Sequence, residues 1–171
     1  MKAKDLPERK INRLKNYNYN TPGSYFITIC TENKAEILSE MLVGTGVLDR
    51  PKNVLTEYGK IADKQLKRMS DFYSNISVDK YVIMPNHIHL LLTIRNVPDG
   101  PSGTPVPTNS ILARFISTFK RFCNKEYGRN IWQRGLYDHI IRNEEDYIET
   151  LSYIENNSLK WITTHRKRCN K

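Results

Sequence analysis

The stretch Met84-Pro85-Asn86-His87-Ile88-His89-Leu90-Leu91-Leu92 decides how this chain is read. Taken as a strand it alternates sides, so His87 and His89 point to one face while Ile88 and Leu90 point to the other. Two imidazoles side by side can chelate one divalent metal, provided a third ligand arrives from elsewhere and a position stays open for a substrate oxygen. A pair of half-exposed strand histidines gives the same pattern. The flanks, Tyr81-Val82-Ile83-Met84 before and residues 90–94 after, read as buried strands joined by a turn at Pro85-Asn86. The histidines thus open the second strand of a hairpin and interrupt a sheet core.

Working outward, Ser24-Tyr25-Phe26-Ile27-Thr28-Ile29-Cys30-Thr31 is rich in β-branched and aromatic residues and reads as a first strand. Residues 57–72 place Tyr58, Ile61, Ala62, Leu66 and Met69 at helical spacing. A second helix over 110–127 buries Ile111, Leu112, Phe115, Ile116, Phe119 and Phe122, with Thr108 or Asn109 as its expected cap. Its opposite side carries Arg114, Ser117, Arg121 and Lys125 as one stripe, which suits a phosphate backbone or simply a solvated face. A short strand follows near 137–141. Asn143 then caps a helix expected to run through Tyr147, Leu151, Tyr153 and Asn157, with Glu144, Glu145 and Asp146 complementing its dipole. Tyr153 and Asn157, four residues apart, share a face, whereas Tyr147 and Tyr137 read as packing residues. The β-α-β-β-α-β order resembles a split-βαβ, ferredoxin-like fold of the α+β class: a four-stranded antiparallel sheet, helices on one face, and an additional C-terminal helix.

Length and composition suit one domain over residues 1–171, since 171 residues with 39% hydrophobic content can bury a single core. No apolar run approaches the roughly 20 residues of a membrane span, and the basic start lacks a signal-peptide core, so a cytoplasmic protein without a membrane partner is expected. Cys30, Cys123 and Cys169 are too few and too scattered for a disulfide framework or a zinc ribbon. A net charge of +9 points to a polyanion, nucleic acid before a membrane surface. Arg9, Lys10, Arg13 and Lys15 lie in a basic arm (1–22) able to track phosphates, and 162–171 is a cationic tail.

Four stretches together resemble one family. Gly23-Ser24-Tyr25-Phe26-Ile27-Thr28-Ile29-Cys30-Thr31, the His-x-His stretch, Trp132-Gln133-Arg134-Gly135-Leu136-Tyr137-Asp138-His139-Ile140-Ile141-Arg142-Asn143 and Tyr153-Ile154-Glu155-Asn156-Asn157 are similar to the REP-associated tyrosine transposases, a branch of the single-tyrosine HUH nucleases. The resemblance implies Tyr153 as nucleophile and a metal site of His87, His89 and Asn157. Ser158 departs from the proline common at that position. An N/O ligand set suits Mg²⁺ or Mn²⁺. A tyrosine hydroxyl, with an ordinary pKa of about 10, needs activation to attack a phosphate. Attack would leave a 5′-phosphotyrosine and a free 3′-hydroxyl on single-stranded or hairpin DNA. Asp138, His139 and Arg142 match the family and divide evenly between DNA contact and structural support. A non-cleaving regulator on the same fold is the competing class. Monomer and homodimer are both compatible with the sequence.

Two segments, 43–51 and 97–108, are Gly/Pro-rich, lack an apolar period and read as surface loops. They are related through the genetic code. Reverse-complementing the degenerate codons of 100–108 and shifting the frame by one nucleotide yields Val-Gly-Thr-Gly-Val-Pro-Asp-Gly-Pro. That matches residues 43–51 except at Leu48 and Arg50, each a single nucleotide away (CTN for CCN, CGN for GGN). Both loops are expected to be translated copies of a palindromic repeat.

Overall fold

The computed structural model describes residues 17–42, 51–95 and 110–169. In chain order they form β1 (Gly23–Cys30), a 3-10 turn (Glu32–Lys34), β2 (Ser39–Leu42), β3 (Lys52–Leu55), α1 (Glu57–Phe72), β4 (Ile76–Met84), β5 (His87–Ile94), α2 (Ile111–Tyr127), β6 (Tyr137–Ile140), α3 (Glu144–Glu155) and α4 (Asn157–Cys169). Four strands make one antiparallel sheet in the order β4-β5-β1-β6, while β2 and β3 pair as a separate hairpin that the sequence reading lacks. The α+β, four-stranded antiparallel expectation holds. The basic-arm residues Arg9, Lys10, Arg13 and Lys15 lie outside the described residues, as do 43–50 and 96–109.

The alternation of β1 and β5 divides the sheet into two unlike faces. Tyr25, Ile27 and Ile29 of β1 and Ile88, Leu90 and Leu92 of β5 form one face and are fully buried. On them pack Ala62, Leu66 and Met69 of α1 with Leu112, Phe115, Ile116 and Phe119 of α2. Each of the leucine, isoleucine, phenylalanine and methionine side chains contributes about 1.5–3 kcal/mol when withdrawn from water, so this layer carries most of the hydrophobic stabilisation. The opposite face presents Phe26, Thr28 and Cys30 beside His87, His89 and Leu91. Cross-strand register sets Thr28 against His89 and Cys30 against His87.

Local chemistry fixes the helix starts. Thr56 caps α1 by accepting from the Gly59 amide, and the Gly59 backbone lies so close to the Leu38 carbonyl that a Cβ there would collide with it. Ser110, rather than Thr108 or Asn109, caps α2 by accepting from the Ala113 amide, and Gly128 ends that helix at φ 71°. Lys120 of α2 reaches the following loop, donating to the Gln133 and Gly135 carbonyls at 2.8 and 2.7 Å. Burial pulls its ammonium down to about 8.

Beyond β6 the chain crosses to the second face. The helix expected to run on through Asn157 is broken at Asn156 (φ −92°, ψ 4°), whose side-chain amide donates to the Ser152 carbonyl at 2.8 Å. The same carbonyl also accepts from the Asn156 backbone amide at 3.0 Å, and α4 starts anew at Asn157. The backbone of 162–169, read as a tail, continues α4.

Candidate active site

The second face of the sheet and α3–α4 enclose a pocket of about 550 Å³ that holds His87, His89, Tyr153 and Asn157 together. β5 supplies the histidines and α3 the tyrosine, while Asn157 is the first residue of α4. Tyr153 and Asn157 face one pocket across the helix break. Their exposures differ in a useful way: Asn157 is 4% exposed and held in place, whereas Tyr153 is 37% exposed and open to a ligand.

Two further residues orient the imidazoles. His87 Nδ1 lies 2.7 Å from Asn86 Oδ1, and His89 Nδ1 lies 2.8 Å from Thr28 Oγ1. With the Asn86 amide oxygen as acceptor, His87 carries its proton on Nδ1 and turns an Nε2 lone pair into the pocket. Thr28 both donates and accepts, so it supports either tautomer of His89. The two Nε2 atoms stand 3.0 Å apart. Two donors about 2.1 Å from a single ion and about a right angle apart are separated by about 3 Å, so the pair has the bite of adjacent ligands. Burial pushes His87 down to about 4, with Lys34 adding to the effect. It pushes His89 down to about 3, aided by His87 and Lys160. Neutral imidazoles are the ligating form. Among the described residues no three His, Cys, Asp or Glu side chains form a metal cluster. The pocket residues that could hold a hard divalent cation are the two imidazoles and the Asn157 amide.

Aromatic and cationic groups frame Tyr153. Its ring meets His89 at 5.3 Å and Phe26 edge-on at 5.7 Å, and the Lys160 ammonium sits 4.7 Å from the ring centre. Lys34 enters the pocket from a turn in which Asn33 and Lys34 both adopt φ 54°. That left-handed pair is strained for non-glycine residues. It is held by the buried Thr31, whose hydroxyl donates to the Ala35 and Asn86 carbonyls. Trp161 approaches the His87 ring at 5.7 Å. Tyr137, read from sequence as packing, is 51% exposed and lines this pocket, because β6 is an edge strand and the pocket side of its first residue is uncovered. Tyr147 does pack, with its hydroxyl donating to Asp79 at 3.3 Å.

The other candidates fall elsewhere. Arg114 and Arg121 are exposed on α2 and border a groove with Phe72 and Tyr73, on the far side of the sheet from the histidines. Lys125 is exposed near the end of the same helix. Asp138 accepts from the Tyr19 hydroxyl at 2.6 Å, tying the chain before β1 to β6. His139 Nε2 pairs with Asp146 at 2.9 Å, and the Arg142 amide donates to that carboxylate at 3.0 Å. These contacts tie the side chains of Asp138 and His139 to neighbouring elements, whereas Arg142 takes part through its backbone and leaves its exposed side chain unassigned. Sequence reasoning missed Thr28, Asn86, Lys34 and Lys160. Lys160 alone left a signal, seven residues after Tyr153 at helical spacing.

No family profile matches the chain. A protein of Haemophilus influenzae, described only as uncharacterized, is 32% identical over 171 residues and covers 91% of both chains. The REP-associated tyrosine transposase of Escherichia coli is 24% identical over 142 residues, covering 82% of this chain and 70% of that one. The solved structure of a REP-associated tyrosine transposase bound to a REP hairpin superposes with TM-score 0.60 at 20% identity, covering 86% of this chain and 74% of the other, and shares its fold. The chain is related in sequence to the REP-associated tyrosine transposases. At Ser158, which departs from the proline that the resemblance leads one to expect, the preceding Asn157 is buried in the first turn of α4. Among the described residues no helix is long and apolar enough to cross a membrane.

Proposed function

We propose that this protein nicks and rejoins single-stranded or hairpin DNA through Tyr153, with a divalent cation, Mg²⁺ or Mn²⁺, held by His87, His89 and Asn157. The observation that carries the reading is the 3.0 Å approach of the two Nε2 atoms beside the accessible Tyr153 ring in one pocket. A bound cation would neutralise charge on the scissile phosphate. Everything else falls to the chain. Asn86 and Thr28 hold the imidazoles in orientation, and burial keeps them neutral. Phe26 and His89 wall the Tyr153 ring, so its hydroxyl is presented in a restricted direction. Lys34 and Lys160 place positive charge at the two sides of the histidine pair, where phosphates would lie. Tyr137 offers a face on which an unpaired base can stack.

Attack by the Tyr153 hydroxyl oxygen forms a new O–P bond and breaks the bond from phosphorus to the 3′ oxygen. The phenol gives up one proton and the departing 3′ oxygen takes one, so no proton is gained or lost overall. One phosphodiester is exchanged for another, and an incoming 3′-hydroxyl runs the step backwards without an external energy source. The basic arm with Arg9, Lys10, Arg13 and Lys15, and the exposed Arg114, Arg121 and Lys125, would hold DNA away from the reacting phosphate. His139 and Arg142 are weaker candidates for the same task.

Incubation of the protein with labelled DNA hairpins and Mn²⁺, read on a denaturing gel, should give a covalent adduct that Tyr153→Phe abolishes while hairpin binding persists. Adduct formation by Tyr153→Phe would overturn the nucleophile assignment. Binding without adduct in the unaltered protein would leave the non-cleaving regulator.

A further inference from the structure

The segments 43–51 and 97–104 enter the chain where the described fold closes without them. Leu42 pairs with Lys52 as the last rung of the β2–β3 hairpin. β5 ends at Ile94, and α2 begins under its own cap at Ser110. Ile94 is also at the opposite end of β5 from His87, so added length there does not load the catalytic end of the sheet. Lengthening such connections costs little, because closure entropy grows only with the logarithm of loop length.

Residues 97–104, Val-Pro-Asp-Gly-Pro-Ser-Gly-Thr, have a symmetry that no folding requirement explains. Written as GTN-CCN-GAY-GGN-CCN-TCN-GGN-ACN, the codons pair with one another as antiparallel strands about the third base of the Gly100 codon. The first two bases of Val97 complement those of Thr104; Pro98 complements Gly103, Asp99 complements Ser102, and Gly100 complements Pro101. Every codon of the eight is matched. A DNA strand that carries this pattern folds back on itself.

Residues 43–51 carry the same element in the reverse orientation, with single-base departures at Leu48 and Arg50. The likeness also runs past the palindrome. The complement of Pro105-Val106-Pro107-Thr108 encodes Val43-Gly44-Thr45-Gly46, so the two segments share a flank as well as an arm. A flank and an arm repeated in both orientations are what two copies of one mobile palindrome leave behind.

We propose that 43–51 and 97–108 are in-frame copies of one palindromic DNA element, and that the hairpin of this element is the DNA this protein binds and cuts. The second half rests on the nicking reading above. It fits a strongly basic protein with an open pocket beside Tyr153.

The gene tests the first half. Ser102 is expected to use a TCN codon, and the Pro101 codon to end in a purine that pairs with the pyrimidine of Asp99. The third bases of Val97 and Gly103, and of Pro98 and Ser102, are expected to be complementary. An AGY codon at Ser102, or failure of most of these third-base pairs, overturns the shared palindrome. For the second half, full-length protein is given two labelled strands with Mn²⁺: the coding strand spanning 93–112, and a strand of equal composition with one arm scrambled. The native strand is expected to bind about ten-fold or more tighter and to form the Tyr153 adduct preferentially. Equal binding and equal adduct on both strands overturn this proposal and leave nicking standing. Adduct on an unrelated single strand but on neither of these two does the same, and adduct on no strand overturns both.

Discussion

The two faces of the central sheet are built from the same two strands and do opposite things. On the face under α1 and α2, alternate residues of β1 and β5 are fully buried hydrocarbon or tyrosine, and their neighbours are side chains of the same kind. On the other face, beside Phe26 and the fully buried Leu91, stand Thr28, Cys30, His87 and His89, and what covers these four is a pocket rather than a packed layer. The first face can exchange one apolar side chain for another at small cost, because volume and water exclusion are all that it needs. The second cannot, because each imidazole is held by a particular oxygen.

Adjacent residues of β5 offer the sharpest way to break this contrast. His89→Ala should abolish adduct formation, a loss of about 10³-fold or more, with little change in the urea midpoint. Leu90→Ala, one residue on and on the other face, should cost about 3 kcal/mol of stability and leave adduct formation per folded molecule near normal. If His89→Ala unfolds the protein or Leu90→Ala inactivates it while folded, the division is wrong. Next in size is Thr28→Val, which keeps the shape of the side chain and removes the oxygen behind His89. Its Mn²⁺ titration of cleavage should shift by about 10–100-fold. An unshifted titration would mean that Thr28 does not orient the ligand.

The smallest effect is on pH and stability. His87 and His89 are pushed down to about 4 and about 3, whereas in the unfolded chain they titrate near 6.5. As pH falls from about 6.5 towards 4, the unfolded state takes up protons that the folded state refuses. Stability is therefore full above about 6.5 and is lost through this window. Urea midpoints measured in metal-free buffer should fall from pH 7 to pH 4.5, and His89→Gln should flatten the decline. A midpoint independent of pH would contradict burial of two neutral imidazoles.

Legibility followed the same division. The apolar face was readable because its signal is local and repeated: period two in β1 and β5, helical period in α1 and α2. The histidine pair and Tyr153 stood out as chemistry in motifs. Thr28 and Asn86 did not, since Thr28 reaches His89 only through the pairing register of β1 with β5, and Asn86 looked like half of a turn. The β2–β3 hairpin escaped because its strands are four residues each and carry no clear alternation. The break before Asn157 is a departure of one residue, Asn156, from helical φ/ψ, which the apolar period does not reveal.

The link between β6 and α3 is only residues 141–143, and three residues span at most about 10 Å. In this structure α3 packs on β4 and β5 of its own chain, so one polypeptide presents its tyrosine, both histidines and its asparagine in one pocket. Genetically, this makes defects private. Chains carrying Tyr153→Phe and chains carrying His89→Ala, mixed in any ratio, should not rescue one another, because neither copy can lend the group that the other lacks. Recovery of cleavage in the mixture would mean that α3 is traded between copies.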